Sequence, residues 1–96
     1  MTMSVGIRMK FAGVTQEQFD AVNARIDAAA NPPAGAIFHV SGPIEGGWHV
    51  IDIWESRAAF DTFQQDRIQP AVAAAGVQMQ GPPDIQEFPV HEMFIP

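Results

Sequence analysis

The chain contains no cysteine, which excludes a disulfide framework, a thiolate metal site and a cysteine nucleophile. Positive charge is almost as scarce. Five basic residues (Arg8, Lys10, Arg25, Arg57 and Arg67) stand against eleven acidic ones, a net charge of −6. They are scattered singly, with no stripe to follow a phosphate backbone, so nucleic acid is not an expected partner. Nor does any apolar run approach the ~20 residues that span a bilayer, and the opening "MTMSVGIRMK" lacks the uninterrupted apolar core of a signal peptide. A cytoplasmic protein with no membrane partner is the expectation. Repeats, linkers and low-complexity segments are missing as well.

What is present is globular in character: 47% of the 96 residues are hydrophobic and 17% charged, so the whole chain is expected to fold as one domain over residues 1–96. A chain of this length buries only about 60–65% of its surface, and a partner subunit is a natural source of further burial.

Met3 to Phe11 alternates apolar with small or charged residues, the pattern of a half-buried strand. In "VTQEQFDAVNARIDAAANPP", Thr15 is placed as N-cap with Gln18 three residues on, and Val14 and Phe19 suit a hydrophobic staple. Phe19, Val22, Ile26 and Ala29 or Ala30 recur at helical spacing until Asn31-Pro32-Pro33 stops the helix. Gly35 to Ser41 reads as a second strand, "GPIEGG" as a loop, and "GWHVIDIWES" from Gly47 as a third strand closing an antiparallel hairpin. Ser56 is placed to cap a second helix, "RAAFDTFQQDRIQPAVAAAG", kinked at Pro70 and ended by Gly76. Ile85 to Ile95 offers a fourth strand in which Pro89 suits an edge or a bulge.

The order βαββαβ predicts an α+β, ferredoxin-like fold with a four-stranded antiparallel sheet. Two helices cover one face of such a sheet. Yet the third strand is apolar on both: Trp48, Val50 and Trp54 on one side, Ile51 and Ile53 on the other. An exposed second apolar face marks an interaction surface, and a homodimer packed sheet against sheet is the simplest expectation.

The stretch "GWHVIDIWESRAAFDTFQQDRIQPAVAAAGV", a strand ending in Trp-Glu-Ser and a helix opening with Arg-Ala-Ala-Phe, resembles the dimeric α/β-barrel superfamily, in particular small proteins similar to antibiotic biosynthesis monooxygenases. "FPVHEM" looks like the tail of members of that group. The resemblance implies a homodimeric α/β barrel with a cavity between sheet and helices in each subunit. It also implies activities ranging from cofactor-independent oxygenation of polycyclic aromatic polyketides, through haem degradation, to cyclisation or isomerisation of small metabolites. In the aromatic monooxygenases the strand-end tryptophan, here Trp54, lines the pocket. The amide side chain that their mechanism places four residues earlier is replaced here by Val50. The haem degraders hold iron through a helical histidine, and neither predicted helix contains one.

If Trp54 faces the helices, alternation puts Asp52, Val50 and Trp48 on the same side. An interior carboxylate needs a partner or a shifted pKa. Arg67, on the stripe of Phe60, Phe63 and Ala71, is one candidate partner across the cavity; the alternative is that Arg67 reaches solvent near Pro70 and Asp52 sits at the cavity mouth. Centring the hairpin near Ile44 sets His39 opposite His49, on the Ile51 and Ile53 face, beside a dimer interface. Two imidazoles make a weak metal site where a catalytic zinc has three protein ligands, so no metal site and no cofactor are expected. His91 is a second candidate acid or base beside Asp52, or else a structural hydrogen-bonding residue of the last strand. Trp48, Phe60, Phe63 and Phe38 either wall a pocket for a flat ligand or form plain core.

These readings converge on a small cofactor-independent enzyme, monooxygenase-like or an isomerase or cyclase. It would act on an enolisable aromatic or polyketide-type metabolite, with Asp52, His91 and Arg67 in catalytic roles and Trp54, Trp48, Val50, Phe60, Phe63 and Phe38 around the substrate. The alternatives are a non-catalytic dimer that binds a small hydrophobic metabolite, and a dimer whose core is filled.

Overall fold

A computed structural model describes residues 4–96 of the chain; the start of the predicted first strand, Met3, lies outside the described residues. Alternation builds β1 (Val5–Ala12), which buries Ile7 and Met9 on one side. Thr15 then caps α1 (Gln16–Ile26) through the reciprocal box expected of it: its Oγ1 accepts from the Gln18 N–H at 3.2 Å, and the Gln18 side chain accepts from the Thr15 N–H at 3.0 Å. Val14 and Phe19 both pack against the core.

The helix ends earlier than its apolar spacing predicts. Asp27 takes a left-handed conformation, φ 50°, and its N–H bonds back to the Asn23 carbonyl, so Ala28–Ala30 form a turn rather than a last helical turn.

β2 (Ala36–Ile44) and β3 (Gly47–Trp54) form a hairpin across a two-residue turn. Residues 42–44, expected in the loop, extend β2 instead. Pro43 is tolerated there because β2 is an edge strand, in the sheet order β2-β3-β1-β4. The left-handed turn falls to Gly46, φ 77°. Gly47 meets β1 so closely that a Cβ there would lie 2.2 Å from the Phe11 carbonyl oxygen.

Ser56 caps α2 (Arg57–Phe63), its Oγ accepting from the Ala59 N–H at 3.1 Å. Pro70 does not kink a continuous α-helix. Its missing N–H is absorbed by a π-helical turn (Gln64–Ile68), in which the Gln69 N–H reaches back to the Gln64 carbonyl, and α3 (Gln69–Ala75) resumes with Pro70 in its first turn. Gly76 ends α3 at φ 70°, as expected. β4 (Asp84–Pro89) is shorter than the predicted Ile85–Ile95. Proline gives its edge no further donor, and beyond it the Val90 N–H bonds to the Ser4 carbonyl at 3.0 Å.

All strand pairs are antiparallel, giving the ferredoxin-like arrangement expected of the sequence. The helices cover one face only. β3 shows this directly: Trp48, Val50, Asp52 and Trp54 are buried, while Gly47, His49, Ile51 and Ile53 are half-buried on the open face. The core joins Ile7, Met9, Trp48, Val50, Trp54 and Phe60 beneath the helices. On the open face Phe38, Val40, Ile44 and Phe88 remain exposed. No helix of the described residues is long and apolar enough to cross a membrane.

Candidate functional site

The register of the hairpin decides which polar groups meet. Because β2 continues to Ile44 and turns at Glu45-Gly46, His39 pairs with Asp52 and His49 with Gly42. The expected His39–His49 pair is therefore corrected. His39 points to the helix face beside Asp52, and His49 lies on the open face beside Lys10. An odd offset in register is what moved the ring from one face to the other. No group of three or more His, Asp or Glu side chains suited to holding a metal occurs among the described residues.

Asp52 is the buried charged residue of the core, with 5% of its surface exposed. It is fully partnered. Oδ1 accepts from His39 Nδ1 at 2.6 Å, and Oδ2 accepts from the indole Nε1 of Trp54 at 3.2 Å. A carboxylate can only accept, so Nδ1 of His39 carries the hydrogen whether the ring is neutral or charged, and in the neutral ring Nε2 bears the lone pair. Donation of the Nδ1 hydrogen to Asp52 raises the His39 pKa above its ordinary 6.5; partial burial opposes this and the carboxylate's charge adds to it.

The pair lies on the wall of an apolar cavity of about 200 Å³ between the sheet and α1, the π turn and α3. This cavity stands against the alternative of a filled core. Met9, Phe19, Val22, Val50, Trp54 and Phe63 give the cavity much of its lining, and Met79 contributes from beyond α3. His39 stands at its edge with 52% of its side chain exposed, so a base there touches both the cavity and water.

Of the residues expected around a substrate, Trp54, Val50, Phe63 and Phe38 line this cavity. Phe38 does so from the edge strand, beside a bulge between Ala36 and Phe38, although its pairing with Ile53 puts it on the open face. Trp48 and Phe60 do not line it. Trp48 is buried with its ring stacked on Phe19 at 5.0 Å, and Phe60 is buried edge-on to Trp54 at 5.9 Å; both support the wall from behind.

Of the three residues expected in catalysis, only Asp52 reaches the cavity. Arg67 does not pair with it. The early end of α1 leaves carbonyls in reach, and the guanidinium donates through Nη1 to Asn31 O at 2.6 Å and through Nη2 to Ile26 O, while stacking over Phe63 at 5.6 Å. The helix C-terminus, with its partial negative charge, is the acceptor that this arginine required. His91 lies exposed beyond β4 and outside the cavity lining. His39 is the functional candidate that sequence spacing misplaced.

No family model matches the chain, and no curated protein does either. Solved structures do. A candidate antibiotic biosynthesis monooxygenase from Caulobacter crescentus superposes with a TM-score of 0.73 at 21% identity, over 95% of this chain and 92% of that one. SnoaB, a cofactor-independent oxygenase from Streptomyces nogalater solved as a point mutant, gives 0.63 at 15% identity, over 97% of both chains. A dimeric ferredoxin-like protein of unknown function from Thermobifida fusca gives 0.66 at 15% identity, over 94% of this chain and 93% of that one. The chain therefore shares the ferredoxin-like fold of antibiotic biosynthesis monooxygenase-like proteins.

Proposed function

We propose that the protein is a small cofactor-independent enzyme that removes a proton from an enolisable, largely apolar metabolite bound in the cavity between sheet and helices. The single observation that carries this reading is the His39–Asp52 pair on the wall of an apolar cavity. His39 Nε2 takes the proton from carbon; the C–H electron pair becomes a C=C bond to the carbonyl carbon and the carbonyl π pair moves to oxygen, forming an enolate. Asp52 holds the ring in the Nδ1–H form and stabilises the imidazolium that results, and Trp54 in turn holds Asp52. Reprotonation at another atom completes an isomerisation, ring closure a cyclisation, and reaction of the enolate with dioxygen an oxygenation. Phe63 and Trp54, with ring centroids 5.2 Å apart, offer faces against which a planar enolate rests.

The proposed working unit is a homodimer. Phe38, Val40, Ile44 and Phe88 on the open face supply the apolar surface, and the Thermobifida fusca relative by fold is dimeric.

The test is deuterium uptake from heavy water into 2-tetralone, an enolisable bicyclic ketone, followed by proton NMR. Wild-type protein is expected to accelerate exchange at the carbon between ring and carbonyl, and His39→Ala to lose that acceleration while retaining the ketone. Binding without exchange in the wild type would replace the enzyme by a non-catalytic carrier of small hydrophobic metabolites.

A further inference from the structure

The proposed base sits on the sheet, and the opposite wall of the cavity holds an amide with little to do. Gln64 opens the π-helical turn and is half-buried on the cavity lining. Its Nε2 donates to the thioether of Met9 at 4.0 Å, and a thioether is a weak acceptor. A primary amide nitrogen carries two hydrogens, so one donor is spent poorly and the other is free to turn to a ligand. Of the other two amides on the lining, Gln18 has its oxygen bound to the Thr15 N–H in the capping box, which ties that side chain to the start of α1, and Asn23 lies exposed in the last turn of α1. The backbone supports the distinction, because π turns inside α-helices recur at functional sites, where the extra residue re-aims side chains.

We propose that Gln64 is the specificity-determining donor of this site, giving a hydrogen bond from Nε2 to the carbonyl oxygen of a ketone no larger than one or two rings. This inference rests on the proposed function, since the same oxygen becomes the enolate when His39 removes the neighbouring proton. The donor strengthens its bond as negative charge builds there, and the imidazolium lies on the other side of the ligand. Size follows from the cavity: about 200 Å³ falls below the ~300–1,000 Å³ of pockets for drug-sized ligands, which favours a ligand of one or two rings. The chemical class is a carbonyl compound with an acidic hydrogen on the adjacent carbon and an otherwise apolar frame.

A matched pair of probes separates the oxygen's contribution from that of the frame. 2-Tetralone and tetralin share a bicyclic skeleton, and tetralin lacks the carbonyl. Their affinities are read from the methyl resonances of Met9 and Met79, both of which line the cavity. The wild type is expected to bind 2-tetralone up to about tenfold more tightly than tetralin, the size of one neutral hydrogen bond. Gln64→Met, unbranched and close in volume, and Gln64→Leu are each expected to abolish that preference while leaving tetralin affinity within about twofold. His39→Ala is expected to keep the preference, which separates this inference from the proposed proton abstraction. Loss of exchange activity in the wild type overturns the enzyme reading alone. Failure of the wild type to bind 2-tetralone, equal affinity for the two probes, or a preference retained in the Gln64 variants overturns the assignment of Gln64.

Discussion

The two faces of the sheet are made by the same strands and differ in what their polar groups do. On the helix-covered face Asp52 is sealed beneath the helices and engages two donors, His39 and Trp54, beside an apolar cavity. On the open face Phe38, Val40, Ile44 and Phe88 are exposed, and the intervening positions belong to Arg8, Lys10 and His49. A period of two along β3 thus separates a cavity from an open apolar surface: one strand supplies a partnered carboxylate to the first and isoleucines to the second. A carboxylate is costly to bury, and Asp52 keeps a donor on each of its oxygens. On the open face the unusual feature is the exposed apolar area.

Substitutions that act on one face and spare the other sharpen this contrast. The largest expected effect is that of His39→Ala, which should slow deuterium exchange into 2-tetralone by about 10²–10⁴-fold, the range for a general base, without changing the subunit count in native mass spectrometry. The complementary change, Val40→Asp, puts a charge into the open apolar face and should convert a dimer to monomer in the same spectrum while the cavity still binds 2-tetralone. Trp54→Ala should lower unfolding stability by about 3–5 kcal/mol in urea titrations, since it removes a buried ring and leaves Oδ2 of Asp52 without its donor. Phe38→Ala, at a position 47% exposed, should change monomer stability far less.

A smaller effect is expected of Arg67→Ala. It withdraws two charge-assisted bonds from the C-terminal end of α1 and the turn that follows, and should cost about 1.5–3 kcal/mol of stability, with faster amide exchange around Ile26 and Asn31. Weakest is the pH dependence. Because the folded-state pKa of His39 is raised, its ion pair with Asp52 stabilises fully below pH 6.5 and is lost as pH rises through the folded value. Partial exposure keeps this contribution small. Catalysis runs the other way, since the base must be neutral: exchange activity should rise with pH through that same value, above 6.5. Melting temperature and activity measured over pH 5–9 should therefore change in opposite senses, and Asp52→Asn should flatten the stability trend.

The fold was legible because its signals are local. The capping box at Thr15 and Gln18, the cap at Ser56, the stop at Gly76 and the alternation of β1 and β3 each depend on a few neighbouring residues. So was part of the cavity lining: the places of Trp54, Asp52, Val50 and Phe63 follow from strand parity and helix spacing. What escaped was set by register or by distant contacts. "GPIEGG" suggests a broad loop, but Pro43 is tolerated on an edge strand and Gly46 alone takes the left-handed turn. The hairpin centre thereby moves from Ile44 to between Glu45 and Gly46, which brings His39 to Asp52. The signal was available in Gly46-Gly47 directly before an alternating strand. Arg67 was expected to need an acceptor and found one, but the acceptor exists only because Asp27 ends α1 early, a change of backbone that apolar periodicity does not register. His91 was placed by extending β4 through Pro89, past the point where its edge can pair.

The central claim is that Asp52 holds His39 as a base with its lone pair on Nε2, and the nitrogen resonances of His39 test it most directly. Long-range proton–nitrogen spectra of the imidazole across pH 5–9 report both tautomer and pKa. The Nδ1–H tautomer is expected in the neutral ring, with a pKa above 6.5 that falls in Asp52→Asn. An Nε2–H tautomer, or a pKa at or below 6.5 that Asp52→Asn leaves unchanged, would contradict it.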